Sequence, residues 1–458
     1  MTTYRFKGLL QKEGWMRPAY VRLDGLGKVI AIQQKAEIDI KYTNINGYAI
    51  PGLQNAHSHA FQYAMVGLTE RHLSSQQDDF WGWRKAMYQL ALSVNPDDVE
   101  AIAAMLYMEM LRHGYTEVAE FHYVHHSISG EPYNNRAELG ERLIAAAKKV
   151  GIKITLIPIF YQKGGFGKKA EAHQQRFISK DIADYLKLLS ASGQAVKTYE
   201  DARLANGVHS LRAVEPTEIK ALLPLLDSEM PFHLHIAEQL KEVEESKVYL
   251  GKRPVEWLTE NIELNENFHL VHATHLTSAE VEAIAKSKAN VVLCPSTEGN
   301  LGDGIFALKD FQKVGGNWSI GTDSHIGLNP FEELRILDYG QRLISHQRNT
   351  FTDEEQGDSG LYALDKFITN GRQAMGHSQK SYFEKGQAFD ALIMDAKHPI
   401  LAVCSPENLA TTMVYAADVS MHLGTIVNGQ WRILKGRHKE GQEVRRRFKK
   451  ALKELNNR

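Results

Sequence analysis

The sequence predicts an α/β protein, a (β/α)8 TIM-like barrel carrying a small β-sandwich domain built from both chain ends, and three observations support this. Between Tyr48 and about Gly376, short apolar runs alternate with longer amphipathic ones, as repeated β-then-α units on a parallel sheet require. The first fifty residues and the stretch after Gly386 instead carry short alternating segments and turns without a long helical pattern. With 458 residues there is room for a barrel of about 250 residues and a second, smaller unit.

At the N-terminus TYRFKGLL, AYVRL and KVIAI read as strands, parted by Asp24-Gly25 and Gly27. Residues 1–49 are assigned on this pattern to the small domain and residues 50–384 to the barrel. The barrel strands are AIPGLQNA, YTEVAEF, IKITLIPIF, ARLANGV, FHLHIA, FHLVHA, NVVLC and WSIGT, eight units, enough to close a barrel. Between the first two, PDDVEAIAAMLYMEMLRHG predicts a helix, with Asn95 as N-cap, Pro96 in the first turn, a core stripe at Val99, Ile102, Leu106 and Met110, and Gly114 as stop. Residues 162–200 are rich in Gly, Lys and Gln and read as a long loop over the active face. Their glycines lack a phosphate-binding pattern.

Residues 385–458 return to strands in FDALIMDA and LGTIVNGQWRIL, where Asn428-Gly429 is a two-residue hairpin turn. The basic run that follows, HKEGQEVRRRFKKALKELNNR, reads as a solvated helix closing the chain.

Composition narrows the function classes. A formal net charge of −1 gives no global attraction to nucleic acid or an anionic membrane, so any anion binding must be local. Two cysteines, Cys294 and Cys404, make neither a disulfide framework nor a thiolate cage, and a reducing cytoplasm is the expected compartment. No signal-peptide core and no uncharged apolar run of membrane-spanning length occurs. Twenty histidines are left to bind metal.

Catalytic groups in such barrels sit where strands end, so the residues after each apolar run matter most. His57 and His59 end the first run; spaced by two in an extended segment, they face one way. An HxH pair alone recurs by chance. Here FHLHIA supplies His235 and then Glu238, FHLVHA supplies His272, and WSIGT is followed by Asp323, Ser324 and His325. Three neutral imidazoles with one carboxylate suit zinc with a position left for water, and iron is the first-row alternative.

This order, HxH, HxxE, His and Asp, resembles the amidohydrolase superfamily, in particular its deaminase-type branch with one functional metal. The resemblance spans nearly the whole chain. It implies one Zn2+ per subunit, or Fe2+, on His57, His59, His235 and Asp323. The bridging lysine of binuclear branches is missing from ARLANGVHSLRAV, which argues for a single ion.

The stretches NAHSHAFQYAMVGLTE, DDFWGWRKAMYQLA, AEFHYVHH, GVHSLRAV, HIAEQLKEVE, VHATHL and STEGNLGDGIF are similar to the part of that branch that deiminates linear amidines. Gly299 and Thr322 depart from its pattern, where Ala and Ser are expected, and neither is a proposed ligand. The implied substrate is N-formimino-L-glutamate of histidine degradation, hydrolysed to N-formyl-L-glutamate and ammonia by a homodimeric enzyme. For this reaction Glu238, His272 and Asp323 are the implied catalytic residues: Asp323 takes the proton of the attacking water, Glu238 delivers one to the departing nitrogen, and His272 assists. Arg84 and Arg212 are the implied carboxylate grips, with Gln62, Tyr123 and His209 as polar partners, and Trp81 and Trp83 are expected to exclude water around Arg84. Two other readings compete: a deaminase of a purine, pyrimidine or guanidino compound, and a non-catalytic scaffold of the same fold.

Overall fold

The computed structural model describes residues 1–70, 80–353, 356–379 and 381–456, with the backbone alone at 80 and 81. Strands of the N-terminal part are β1 (Thr2–Gln11), β2 (Gly14–Met16), β3 (Ala19–Leu23), β4 (Val29–Gln33) and β5 (Thr43–Pro51). The middle of the chain supplies β6 (Leu53–Ser58), β7 (Tyr115–His122), β8 (Lys153–Pro158), β9 (Lys163–Gly165), β10 (Lys168–Lys169), β11 (Ala202–Leu204) and β12 (Asn206–Ser210). It continues with β13 (Phe232–Ile236), β14 (Phe268–His272), β15 (Asn290–Leu293) and β16 (Asn317–Ile320). The last strands are β17 (Ala391–Asp395), β18 (His422–Val427), β19 (Gln430–Leu434) and β20 (Arg437–His438).

Both chain ends share one mixed sheet, ordered β20-β19-β18-β17-β5-β1-β3-β4, with β2 on β1. The joint is the antiparallel pairing of β17 with β5, Leu392 opposite Ile50. Asn428 and Gly429 take φ of 50° and 68°, the two positive values a tight hairpin needs. That turn touches the far end of the same sheet: a Cβ on Gly27 would lie 1.8 Å from the Asn428 carbonyl oxygen. The sheet therefore curls until its two ends meet.

Two all-parallel sheets carry the middle of the chain, β11-β8-β7-β6 and β12-β13-β14-β15-β16. Parallel bridges join them at both margins, Phe160 with Val208 and Ser58 with Asp323. The second bridge brings the residue between His57 and His59 beside Asp323. Side chains on these strands are fully buried at Phe121, Leu234, Leu270, Val291 and Trp318, each apolar one contributing about 1.5–3 kcal/mol.

Three sequence expectations change. AIPGLQNA is two strands: Gly52 donates to Asp390 in the mixed sheet, and Leu53 donates to Gly114 on the parallel side. Only glycine fits that exchange, because a Cβ would meet Thr116 Oγ1 at 2.3 Å. ARLANGV also divides, since Ala205 donates to Leu156 while Asn206 donates to Pro231. Apolar alternation is blind to a change of partner.

The third correction concerns residues 162–200. The segment holds the β9–β10 hairpin and then a helix, Ile182–Ala195, capped by Asp181 accepting from the Asp184 amide. Tyr185, Leu188, Ser192 and Ala195 form its buried stripe, outweighing the polar composition that suggested a loop.

Of the helices, α1 (Phe80–Ala91) lies over the pocket described below, α2 (Pro96–His113) packs on α3 (Glu138–Val150), and the reading of α2 holds in detail. Asn95 and Asp98 form a reciprocal capping box, Gly114 stops the helix at φ 98°, and Val99, Ile102, Leu106 and Met110 are all buried. The C-terminal helix, Gly441–Leu455, buries Val444 and Ala451, and Arg447 Nη1 donates to Glu100 Oε1 on α2 at 2.6 Å. Among the described residues no helix is long and apolar enough to cross a membrane.

Candidate metal centre and pocket

Four side chains from three strand ends converge: His57 and His59 at β6, His235 at β13, and Asp323 just after β16. His57 Nε2 lies 3.1 Å from His59 Nε2 and 3.0 Å from His235 Nε2. Asp323 Oδ1 is 3.4 Å from His57 Nε2 and 3.1 Å from His59 Nε2. The segments are laced together by backbone, with the Thr322 and Asp323 amides on the His57 carbonyl and the His59 amide on the Asp323 carbonyl.

The donor set fits a small divalent cation. His59 Nδ1 is 2.9 Å from the Phe121 carbonyl and His235 Nδ1 is 3.1 Å from the His209 carbonyl, so both rings carry hydrogen on Nδ1 and aim Nε2 lone pairs inward. Burial pushes His57 down to about 3 and His235 well below the ordinary range, which keeps both neutral. Burial alone would raise the Asp323 carboxyl, but its contacts with His57 and His59 outweigh it and hold it well below the usual range. Lone pairs crowded at such distances repel unless a cation lies among them. Ligand atoms about 2.0–2.1 Å from a zinc ion would stand about 3 Å apart, and a further position would remain for water.

Strain collects where these strands end. Ala237, His272, Ala273, Asp323 and His325 all take positive φ, a conformation non-glycine residues seldom adopt. From behind, Glu120 grips the HxH segment, accepting from Ser58 Oγ at 2.7 Å and the Ala60 amide at 2.6 Å. Tyr107 OH also donates to it, at 2.9 Å.

A cavity of about 40 Å³ opens beside the cluster; His59, His235, Asp323, Glu238 and His272 line it, as do all five expected substrate contacts, Gln62, Arg84, Tyr123, His209 and Arg212, while His57, Ser324 and His325 do not. Glu238 Oε2 accepts from Arg212 Nη2 at 3.0 Å, while Glu238 Oε1 faces His272 Nε2 at 3.8 Å. His272 Nε2 also faces Asp323 Oδ2, at 3.9 Å. Burial works against a charge on His272, but the Glu238, Glu298 and Asp323 carboxylates outweigh it and push the imidazole up to about 10. Gln62 Nε2 donates to Tyr123 OH at 2.9 Å, and His209 Nδ1 is 3.1 Å from Ser210 Oγ. Arg84 stands over the Tyr88 ring, its Cζ 5.1 Å from the centroid, and Tyr161 and Tyr88 raise its pKa against the opposing effect of burial. Trp83 lines the cavity as expected; the Trp81 side chain lies outside the described residues.

Several residues escaped the sequence reading. Glu298 accepts from His272 Nδ1 at 3.2 Å and from the Cys294 amide at 2.8 Å, so His272, Cys294 and Glu298 form a hydrogen-bonded support whose carboxylate is already engaged. Tyr161 directly follows the apolar run IKITLIPIF and Tyr88 stands one helical turn after Arg84, so both carry a positional signal in the sequence. Phe177 comes from the 162–200 segment and gave no signal.

A family model described as the amidohydrolase family matches residues 48–432. The chain is 40% identical over 447 residues to a formimidoylglutamate deiminase from Pseudomonas aeruginosa, covering 97% of this chain and 98% of that protein. In three dimensions it is similar to an amidohydrolase from Brucella melitensis, with a TM-score of 0.93, 36% identity and 100% of both chains covered. An adenosine deaminase from Xanthomonas campestris, solved with bound zinc, superposes with a TM-score of 0.82 at 18% identity over 100% of this chain and 99% of that one, a likeness of fold alone.

Proposed function

Because the chain belongs to the amidohydrolase family, we propose that it hydrolyses N-formimino-L-glutamate to N-formyl-L-glutamate and ammonia. The observation that carries this reading is the company Arg84 and Arg212 keep: two guanidinium groups line the same cavity as the ligand cluster, Glu238 and His272. A cavity that joins a hydrolytic head to two cations suits a substrate with one formamidine and two carboxylates. The relative named for that activity, 40% identical over nearly its full length, supports the same choice.

On this reading His57, His59, His235 and Asp323 hold one zinc ion. When bound, the ion supplies Lewis acidity and makes water nucleophilic near neutral pH. Asp323 has two oxygens with separate tasks: Oδ1 stands with the imidazoles, and Oδ2, turned towards His272, receives the proton of the attacking water. Water adds to the formimino carbon. That proton moves from Asp323 by way of the His272 imidazole to Glu238, which passes it to the departing nitrogen; the carbon–nitrogen bond breaks, and the carbonyl of the formyl group forms as its hydroxyl gives up a proton to Asp323, so that the protonated amidine and water yield the formyl compound and ammonium. His272, fixed through Nδ1 by Glu298, keeps its Nε2 proton between Glu238 and Asp323. Gln62, Tyr123 and His209 orient the amidine, and Trp83 covers Arg84.

The finer architecture belongs to the same proposal. The two bridged parallel sheets are read as one (β/α)8 barrel over residues 50–384, and the curled mixed sheet as a small β-sandwich from residues 1–49 and 385–458. A homodimeric, cytoplasmic enzyme of histidine degradation completes it. The test is ammonia release from N-formimino-L-glutamate beside guanine, cytosine and adenosine, with metal analysis of the same sample. Turnover of a ring compound in preference to the dicarboxylate would sink the substrate, and protein without stoichiometric metal would favour a scaffold.

A further inference from the structure

Outside the inner cavity lies a second, larger one of about 540 Å³, and the two share Arg84, Tyr88 and Arg212 as a common wall. Its lining is unlike the chain as a whole. The protein carries a formal charge of −1, whereas this chamber gathers five cationic side chains, Arg84, Lys85, Lys168, Arg212 and Lys241, against two carboxylates, Glu171 and Glu245.

Three of those cations belong to the outer chamber alone. Lys85, Lys168 and Lys241 are exposed, and none lines the inner cavity. They also come from separate elements: Lys85 from α1, Lys168 from the β9–β10 hairpin, and Lys241 from the helix Leu240–Leu250. The hairpin is clasped onto that helix. Lys168 Nζ reaches Glu245 Oε1 at 3.3 Å, and the Phe166 ring stands 5.9 Å from that of Tyr249. A concave surface with an excess of one sign of charge, walled by protein of low dielectric, concentrates ions of the other sign and speeds their arrival.

We propose that this chamber is a capture site for the dicarboxylate, in which Lys85, Lys168 and Lys241 draw its carboxylates in before Arg84 and Arg212 receive them. The inference rests on the substrate class argued above. It also assigns the arginine pair a position: they stand at the passage between an outer electrostatic chamber and an inner reactive one. Capture of this kind depends on charge and distance and not on one fitted contact, so it is screened by salt, with the Debye length falling from about 30 Å at about 10 mM to about 8 Å at about 150 mM.

The experiment measures kcat/KM for N-formimino-L-glutamate against ionic strength, in the wild type and in a triple variant carrying Lys85→Ala, Lys168→Ala and Lys241→Ala. The variant is expected to lose about ten-fold at low salt and to converge with the wild type at high salt. A second triple variant with arginine at the same positions is expected to keep the wild-type rate and salt slope. Equal rates at low salt, or a loss that persists undiminished at high salt, overturns the capture site while leaving the reaction standing. A metal-loaded wild type that releases no ammonia from this substrate overturns the reaction and the capture site with it.

Discussion

Arg212 donates through Nη2 to Oε2 of Glu238 at 3.0 Å, and both side chains are buried. The other oxygen of Glu238 faces the His272 Nε2. One carboxylate is thus held between the cation proposed to read the substrate and the imidazole proposed to share its proton. Recognition and proton transfer are linked at that residue, because a ligand that draws Arg212 away also changes what Glu238 leans on.

Glu238→Gln keeps the shape of the side chain and removes its capacity to carry a proton. Turnover should fall roughly 10²- to 10⁴-fold with metal content unchanged, as read by steady-state ammonia release and metal analysis. In a cycle with Arg212→Met the two losses should be strongly non-additive, since the residues act as a unit. Near-wild-type turnover of Glu238→Gln would remove it from proton transfer.

Arg84 is held differently, over the Tyr88 ring and beside Tyr161, on a helix distinct from the strand ends that carry the chemistry. Arg84→Met should cost about 2 to 5 kcal/mol in kcat/KM for the dicarboxylate, the range for removing one partner of a buried charged hydrogen bond. An analogue lacking one carboxylate should lose far less. Equal losses for both compounds would mean that Arg84 packs α1 and reads no carboxylate.

Acid should destabilise the protein below neutrality. Burial pushes His113, His233 and His422 down to about 4, His122 to about 3, and His125 and His269 well below the ordinary range. An unfolded chain protonates imidazoles near 6.5, so between about 4 and 6.5 the unfolded state binds more protons and folding is weakened as pH falls. Four buried carboxyls oppose this, since burial pushes Glu120, Glu333 and Asp303 up to about 7, 8 and 9 and raises Glu242 as well, so that they keep a proton in the fold where the unfolded chain has lost it. Six imidazoles outnumber them. The urea midpoint should be lower at about pH 5 than at about pH 7; an equal or higher midpoint in acid would mean those imidazoles are charged in the folded state.

The convergence of His57, His59, His235 and Asp323 was legible because candidate metal ligands leave a local mark: histidines at spacing two, and an HxxE and an aspartate just past apolar runs. The carboxylate behind the HxH segment was not. Glu120 lies within YTEVAEF, where alternation makes it one polar residue among apolar neighbours, and only the β6–β7 pairing reveals that it grips Ser58 and the Ala60 amide. The breaks at Gly52 and Ala205 were hidden for a related reason. Each exchanges hydrogen-bond partners without interrupting the apolar run, so strand membership is settled by tertiary pairing and not by local pattern.

Gly321 gives that tertiary pairing a direct test. It lies one residue beyond β16 and accepts no side chain: a Cβ there would stand 2.6 Å from the His57 Cβ and 2.9 Å from the His57 amide nitrogen. Since the Thr322 and Asp323 amides both donate to the His57 carbonyl, pushing these segments apart moves Asp323 relative to the imidazoles. Gly321→Ala should therefore weaken metal binding and cost about 1–3 kcal/mol of stability through overpacking. Gly340→Ala is the control, because its Cβ would meet Ile305 only at 3.6 Å, and alanine is worth up to about 1 kcal/mol over glycine inside a helix. Metal titration and urea unfolding of both proteins read the difference. If Gly321→Ala holds its metal as tightly as the control, the close approach of β16 to His57 is not what sets the ligand geometry.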